Sequence, residues 1–269
     1  MPTLRILPLM LLLAPHDAVC KRKGLHKAAE EGDIAPLKVA IEGRYDEYEG
    51  EWKRPDLDAQ NSKGRVPLHL AVCNRRRDLE AVKALLDKGA SAVTFDGAGE
   101  TALHLVAREC GHDSAQAHNM MTSVAKLTKL LLKHGAIIDA AAKTEEAPTP
   151  LHLASGRGSF KTVEVLISNG ATVDLTDASG ATPLHHAARA GQARTVLALV
   201  KAGANTSKVD GDGKTARDAV TGRDSASSSI RAHLDGAAQI RVDALAEQAR
   251  EQKKEAEGAK KSSSRKAEL

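Results

Sequence analysis

The stretch "ATPLHHAARAGQ" (181–192) places His185 and His186 side by side, just after a Thr-Pro pair that reads as a helix start. Adjacent imidazoles can bind a metal or exchange protons, and they can equally be scaffold. Recurrence bears on the choice. "VPLHLAV" lies at 66–72, "TALHLVA" at 101–107 and "TPLHLAS" at 149–155, with degenerate copies "GLHKAAEEGD" at 24–33 and "GKTARDAV" at 213–220. With Leu25, Leu68, Leu103, Leu151, Leu184 and Arg217 as equivalent positions, the steps are 43, 35, 48, 33 and 33 residues. A near-constant period broken by longer steps marks a repeat architecture with insertions.

Each copy continues alike. A second apolar run follows, as in "TVEVLISNGATVDL" (162–175) and "RTVLALVKAGANTS" (194–207), with apolar residues at helical spacing. Gly89, Gly135, Gly170 and Gly203 end these runs, where a helix commonly closes on a left-handed residue. A polar turn comes next: "DGAGET" (96–101), "DASGAT" (177–182) or "DGDGKT" (210–215). Asp and Gly supply turn geometry, and the Thr is expected to cap the following helix. Each unit reads as turn, helix, short connection, helix.

The tetrads at 66–69, 101–104, 149–152 and 182–185, with the Gly-Ala pairs 89–90, 135–136, 170–171 and 203–204, resemble those of ankyrin-repeat proteins. The resemblance covers about 23–235. It implies a mainly α solenoid of helix-turn-helix units joined by short turn or β-hairpin fingers: four good repeats, a degenerate N-terminal one and a partial C-terminal cap. It also implies that His69, His104, His152 and His185 are structural, one per repeat, holding helix start and turn together. Spread in this way they cannot converge on one ion, and a metal site wants three or four converging ligands. His186 takes the slot of Leu70, Leu105 and Leu153, and reads as a partly exposed surface residue.

The same resemblance implies a concave binding face made of the fingers 61–65, 96–100, 144–148, 177–181 and 210–214 and the exposed positions of the first helices. Its protein-binding candidates are Lys63, Arg65, Asn74, Arg76, Glu100, Arg157, His186 and Arg189. To these the sequence adds Tyr45, Tyr48 and Trp52. From Gly43 to Val66 is 23 residues, where Gly170 to Thr182 is 12, and the excess is "RYDEYEGEWKR" (44–54). Both tyrosines and the only tryptophan of the chain lie in it; Phe95 and Phe160 are the other aromatics. Two readings stand: the rings cover the exposed first repeat as a cap, or they form an interaction finger, since Tyr and Trp bury much area and keep a polar tip. Asp46, Glu47, Glu49 and Glu51 would give such a finger a negative rim.

Composition fits a non-catalytic solenoid. Aromatics are 2% of 269 residues, so Leu, Val and Ala must build the core. The 39 basic and 35 acidic residues leave a net +4 spread over both signs, with no nucleic-acid footprint. Cys20, Cys73 and Cys110 form neither a disulfide framework nor a zinc spacing. In an insertion near 110–123, "CGHDSAQAH" (110–118) holds Cys110, His112, Asp113 and His118 and reads as a solvated loop. "DGDGKTARD" (210–218) lacks the Glu that closes a twelve-residue calcium loop, and it falls in register with the repeat turns. There is no phosphate-binding glycine motif and no paired nucleophile and base. No enzyme, cofactor or metal is expected.

The ends are read separately from the 21–235 repeat domain. Residues 1–20 place Arg5 before an apolar run, Ile6 to Ala14, too short to span a bilayer and suited to a signal-peptide hydrophobic region. Lys21, Arg22 and Lys23 directly after it argue against translocation, which leaves a mitochondrial presequence or a mis-set start site as alternatives. The C-terminal "KAEL" approximates an endoplasmic-reticulum retrieval signal, with Ala267 in place of the acidic residue. Together the two ends point to the secretory pathway; without them the expected compartment is the cytoplasm. Residues 236–269 read as a charged helix fraying into a disordered tail, without a sustained heptad; a self-associating coiled coil is the alternative there. The function expected is a scaffold that binds an unidentified protein partner, with no stable membrane span. The alternative is a subunit of a complex docked by its C-terminal helix. Partner identity and oligomeric state are encoded in no motif.

Overall fold

A computed structural model describes residues 24–46, 51–53, 55–74, 79–109, 117–222 and 225–237. The segment 1–20, Tyr48, Arg76, the cluster Cys110–Asp113 and the tail beyond 237 lie outside the described residues. The chain divides into two compact units, Met1–Thr144 and Glu145–Leu269.

The first unit holds three helix pairs. Repeat 1 is α1 (Leu25–Glu31) and α2 (Ile34–Glu42); repeat 2 is α3 (Pro67–Cys73) and α4 (Leu79–Asp87); repeat 3 is α5 (Ala102–Glu109) and α6 (Ala117–Lys133). Between repeats 1 and 2 a hairpin pairs β1 (Arg44–Asp46) antiparallel with β2 (Glu51–Lys53), Tyr45 opposite Trp52. The second unit holds repeat 4, α7 (Pro150–Arg157) and α8 (Phe160–Ser168), then repeat 5, α9 (Pro183–Arg189) and α10 (Ala193–Lys201). A helix at 225–237 follows, with Ile230 and Leu234 buried.

The first helices are short because of what bounds them. Pro67, Pro150 and Pro183 stand in the first turn, where a missing N–H costs nothing. Within each unit the tetrad leucines face inward: Leu68 and Leu103 in one, Leu151 and Leu184 in the other, each at most 1% exposed. Leu37, Leu85, Leu127 and Leu131 in the first unit and Leu166 and Leu199 in the second are fully buried with them. Each such leucine contributes about 2 kcal/mol by leaving water. Ala28, Ala154 and Ala187, also fully buried, keep the first helices close to their neighbours.

One expectation changes. The stretch 110–118 is not a loop to its end, because Ala117 and His118 already belong to α6, which runs 17 residues where α8 and α10 run nine. The added turns extend an existing helix, which costs less than nucleating one. The tetrad threonine does stand at the helix start as expected, in a reciprocal capping box with the histidine three residues on, Thr149 with His152 and Thr182 with His185. Their hydroxyls also bond the histidine ring, as described below.

The fingers share one construction with one exception. Asn61 Oδ1 accepts the N–H groups of Lys63 and Arg65; Asp96, Asp177 and Asp210 do the same two and four residues on. The fourth finger residue, Gly64, Gly99, Gly180 or Gly213, has φ between 67° and 78°. In the finger 144–148 that place is held by Ala147, at φ 45°. Pro148 follows and has no N–H to complete the cage. A left-handed alanine costs about 1–2 kcal/mol, part of which glycine's extra unfolded entropy takes back. Ala147→Gly should therefore stabilise the chain by about 0.5–1 kcal/mol, raising the midpoint of thermal unfolding. A lower midpoint would mean that the alanine is not strained there.

Candidate functional site: the finger row

The tetrad histidine holds each first helix to the end of its own finger, and in repeats 4 and 5 it also reaches the next finger. In repeat 5, His185 Nδ1 accepts the Thr182 backbone N–H at 3.2 Å and the Thr182 hydroxyl at 2.8 Å, and Nε2 lies 3.0 Å from the Lys214 carbonyl. A backbone N–H can only donate and a carbonyl can only accept, so the proton sits on Nε2 and the ring is neutral. His152 repeats the pattern, holding Thr149 and reaching the Ala181 carbonyl at 3.1 Å. His69 holds the Val66 N–H and reaches the Thr94 carbonyl, and His104 holds Thr101. Burial pushes the pKa of His69, His152 and His185 down, that of His152 to about 4. In the C-terminal half-repeat Asp218 takes the histidine's place, accepting from the Thr215 N–H and hydroxyl at 3.0 and 2.6 Å. A carboxylate cannot donate onward, so the row of clips stops there.

Neighbouring fingers are also tied directly within each unit. The Gly97 N–H donates to the Lys63 carbonyl, and the Gly211 N–H to the Ser179 carbonyl. A Cβ on Gly211 would lie 2.7 Å from that oxygen, which explains the Asp-Gly start of the finger. Asp58 accepts the Ser91 N–H and Asp174 the Asn205 N–H, two further cross-repeat ties.

The second carboxylate oxygen of each finger aspartate meets a base. Asp96 faces Arg65 at 3.3 Å, Asp177 faces His186 at 2.7 Å and Asp210 faces Arg189 at 3.5 Å. Burial acts to raise the pKa of Asp177, but the hydrogen bonds from His186, Ser179 and Ala181 outweigh it and hold the carboxyl below its usual range. The Lys214 N–H, above all, holds Asp210 down as well.

The sequence-derived candidates fall into three groups. Lys63, Arg157 and Arg189 are exposed, and Arg65 is half-buried against Asp96. Asn74 and Glu100 are not surface positions, while His186 is partly exposed as expected but engaged by its neighbours. Asn74 is buried at the end of α3 against Gly32 of repeat 1, where a Cβ would strike its amide. Glu100 is buried and paired with Arg108 at 2.9 Å. His186 is half-buried between Asp177 and the His152 ring. Tyr45 and Trp52 stand opposite each other in the hairpin register, whereas Tyr48 and Arg76 lie outside the described residues. Sequence reasoning missed the roles of Asp96, Asp177 and Asp210 as hubs. An Asx residue five places before Val66, Thr101, Thr182 and Thr215 was the available signal.

Among the described residues no group of three or more His, Cys, Asp or Glu could hold a metal ion, and no helix is long and apolar enough to cross a membrane.

Comparison with known proteins agrees with this geometry. A family model described as ankyrin repeats (3 copies) matches residues 25–117 and 120–210. The mouse B-cell lymphoma 3 protein homolog is 31% identical over 122 residues, covering 45% of this chain and 24% of that protein. The Drosophila melanogaster transient receptor potential cation channel subfamily A member 1 is 29% identical over 201 residues, 63% of this chain and 16% of the channel. The chain thus spans about a quarter or less of the length of these curated relatives. Among solved structures, an ankyrin repeat domain from Acinetobacter baumannii superposes with a TM-score of 0.62 at 25% identity, over 79% of this chain and 96% of that one. A chain from the complex of a predatory endopeptidase of Bdellovibrio bacteriovorus with an immunity protein gives 0.59 at 26% identity, over 80% and 97%. Tetrads, clipped fingers and family match together place this chain in the ankyrin-repeat family, whose helix pairs serve protein–protein interaction.

Proposed function

We propose that the chain is a non-catalytic scaffold that takes up a folded protein partner on its fingers and on the exposed positions of its first helices. The observation that supports this best is the internal closure of the fingers. Their N–H groups are met by Asn61, Asp96, Asp177 and Asp210, so a partner would find a preformed surface and little ordering cost. Lys63, Arg157 and Arg189 would be its basic contacts, and the exposed Glu145 and Glu146 its acidic ones. A row of mixed sign suits a folded partner of mixed charge better than a polyanion. One solved neighbour comes from a complex of an endopeptidase with an immunity protein, which makes an enzyme held by stoichiometric binding one class of partner to test.

The hairpin that pairs Tyr45 with Trp52 is the proposed hot spot. The test is a double measurement on Trp52→Ala: thermal stability, and recovery of bound partners from cell extract. Loss of partners at an unchanged melting temperature supports a binding finger. A melting temperature lower by several degrees with partners retained means that the aromatics only cover repeat 1. The second reading, docking through the C-terminal segment, is separated by removing residues 237–269. Binding should survive that truncation, and its loss from a chain whose repeats stay folded would overturn the finger-row reading.

A further inference from the structure

Finger 177–181 differs from the others in being held by two imidazoles. His152 Nε2 donates to the Ala181 carbonyl at 3.1 Å, and His186 Nε2 donates to Asp177 Oδ2 at 2.7 Å. The two rings stand edge to face, centroids 5.3 Å apart. Repeats 2, 3 and 4 carry Leu70, Leu105 and Leu153 where His186 stands. The His186 side chain stands beside Gly156, where an added Cβ would make an ordinary contact at 3.8 Å; the equivalent residues of repeats 3 and 5 are Arg108 and Arg189.

The consequence is electrostatic. Adding a proton to His152 requires a hydrogen on Nδ1, the atom that accepts from the Thr149 N–H and hydroxyl. Protonation therefore opens this clip. The charged groups that act on His152 are His186 from α9 and Asp177 from the finger; His185, on the other side of α9, faces Asp210 and Arg189. Burial is the largest force keeping His152 neutral, and a cation on His186 is the second. When His186 carries a proton, Asp177 holds it in place.

We propose that the His186–Asp177 pair is a charge guard for the His152 clip, keeping finger 177–181 fastened in acid at a pH where the clip of His69, which stands beside Asp96 and Arg65, has opened. The proposal makes the finger row graded in pH: the part of the binding surface around Asp177–Ala181 outlasts the part held by His69.

The test is a histidine titration by nuclear magnetic resonance on the full chain, following the ring nitrogens of His69, His152 and His185. His152 should show the lowest midpoint of the three. His186→Gln keeps an amide donor for Asp177 but carries no charge, and should raise the His152 midpoint by about one unit, the shift for unit charges about 5 Å apart in a partly wet site. His186→Arg keeps a permanent cation and should leave the midpoint low. Should glutamine unfold the chain, His186→Leu, which installs the residue of the other repeats, carries the same expectation. An unchanged midpoint in the neutral variant overturns the proposal. So does an equal rise with arginine, because the effect would then be shape and not charge.

Discussion

Replacing His152 by alanine should cost about 4 kcal/mol, far above the usual effect of a single substitution. The ring is fully buried, and its removal leaves three polar groups without their partner: the Thr149 N–H, the Thr149 hydroxyl and the Ala181 carbonyl. Each buried group so stranded costs about 1–3 kcal/mol, and the imidazole leaves a cavity besides. Two helix pairs are affected, because the bond to Ala181 spans 29 residues and joins repeat 4 to the finger of repeat 5. The matched control is Asp218→Ala. Asp218 makes the same two bonds to Thr215, but at an exposed site where water replaces it. That loss should stay near 1 kcal/mol, the usual worth of a cap. Urea unfolding followed by helix content compares the two, and equal losses would refute the clip as the element that joins repeats.

Acid should weaken the fold well before the carboxylates titrate. In the unfolded chain a histidine binds its proton near pH 6.5. In the folded chain burial holds His152 down to about 4 and keeps His69 and His185 below 6.5 as well. Between those values the unfolded state binds more protons than the folded one, so stability must fall as pH falls. The contribution of the neutral clips is therefore complete above pH 6.5 and is lost on acidification, through a window that for His152 ends near pH 4. His152 alone should account for roughly 3 kcal/mol across that window. Asp177, Asp210 and Asp218 have depressed values and lose their contributions only at lower pH, below the ordinary carboxylate range. Urea midpoints measured from pH 8 to pH 5 should decline below about pH 6.5. A flat profile would mean that the tetrad histidines are not buried neutral.

How much of this was legible in the sequence depends on the range of the interaction involved. The repeat register, the helix starts at Pro150 and Pro183, and the left-handed glycines 89, 135, 170 and 203 follow from short-range chemistry, and the structure places all of them as the residues indicate. The tetrad histidines carry their role in the sequence too, because one of their two bonds is made three residues back.

Only the tertiary structure decided which surface candidates are surface. Asn74 is buried because Gly32 of the preceding repeat leaves space for it, and Glu100 because Arg108 reaches back over it. His186 is half-buried because it bonds Asp177 of the finger and stands edge to face against the His152 ring of the preceding repeat. The long α6 likewise takes in the last two residues of an expected loop, since a continued helix satisfies its own backbone. In each case the deciding partner lies in the adjoining repeat or the adjoining element. A repeat pattern states where those partners recur, but their fit depends on volumes and charges brought together only by stacking.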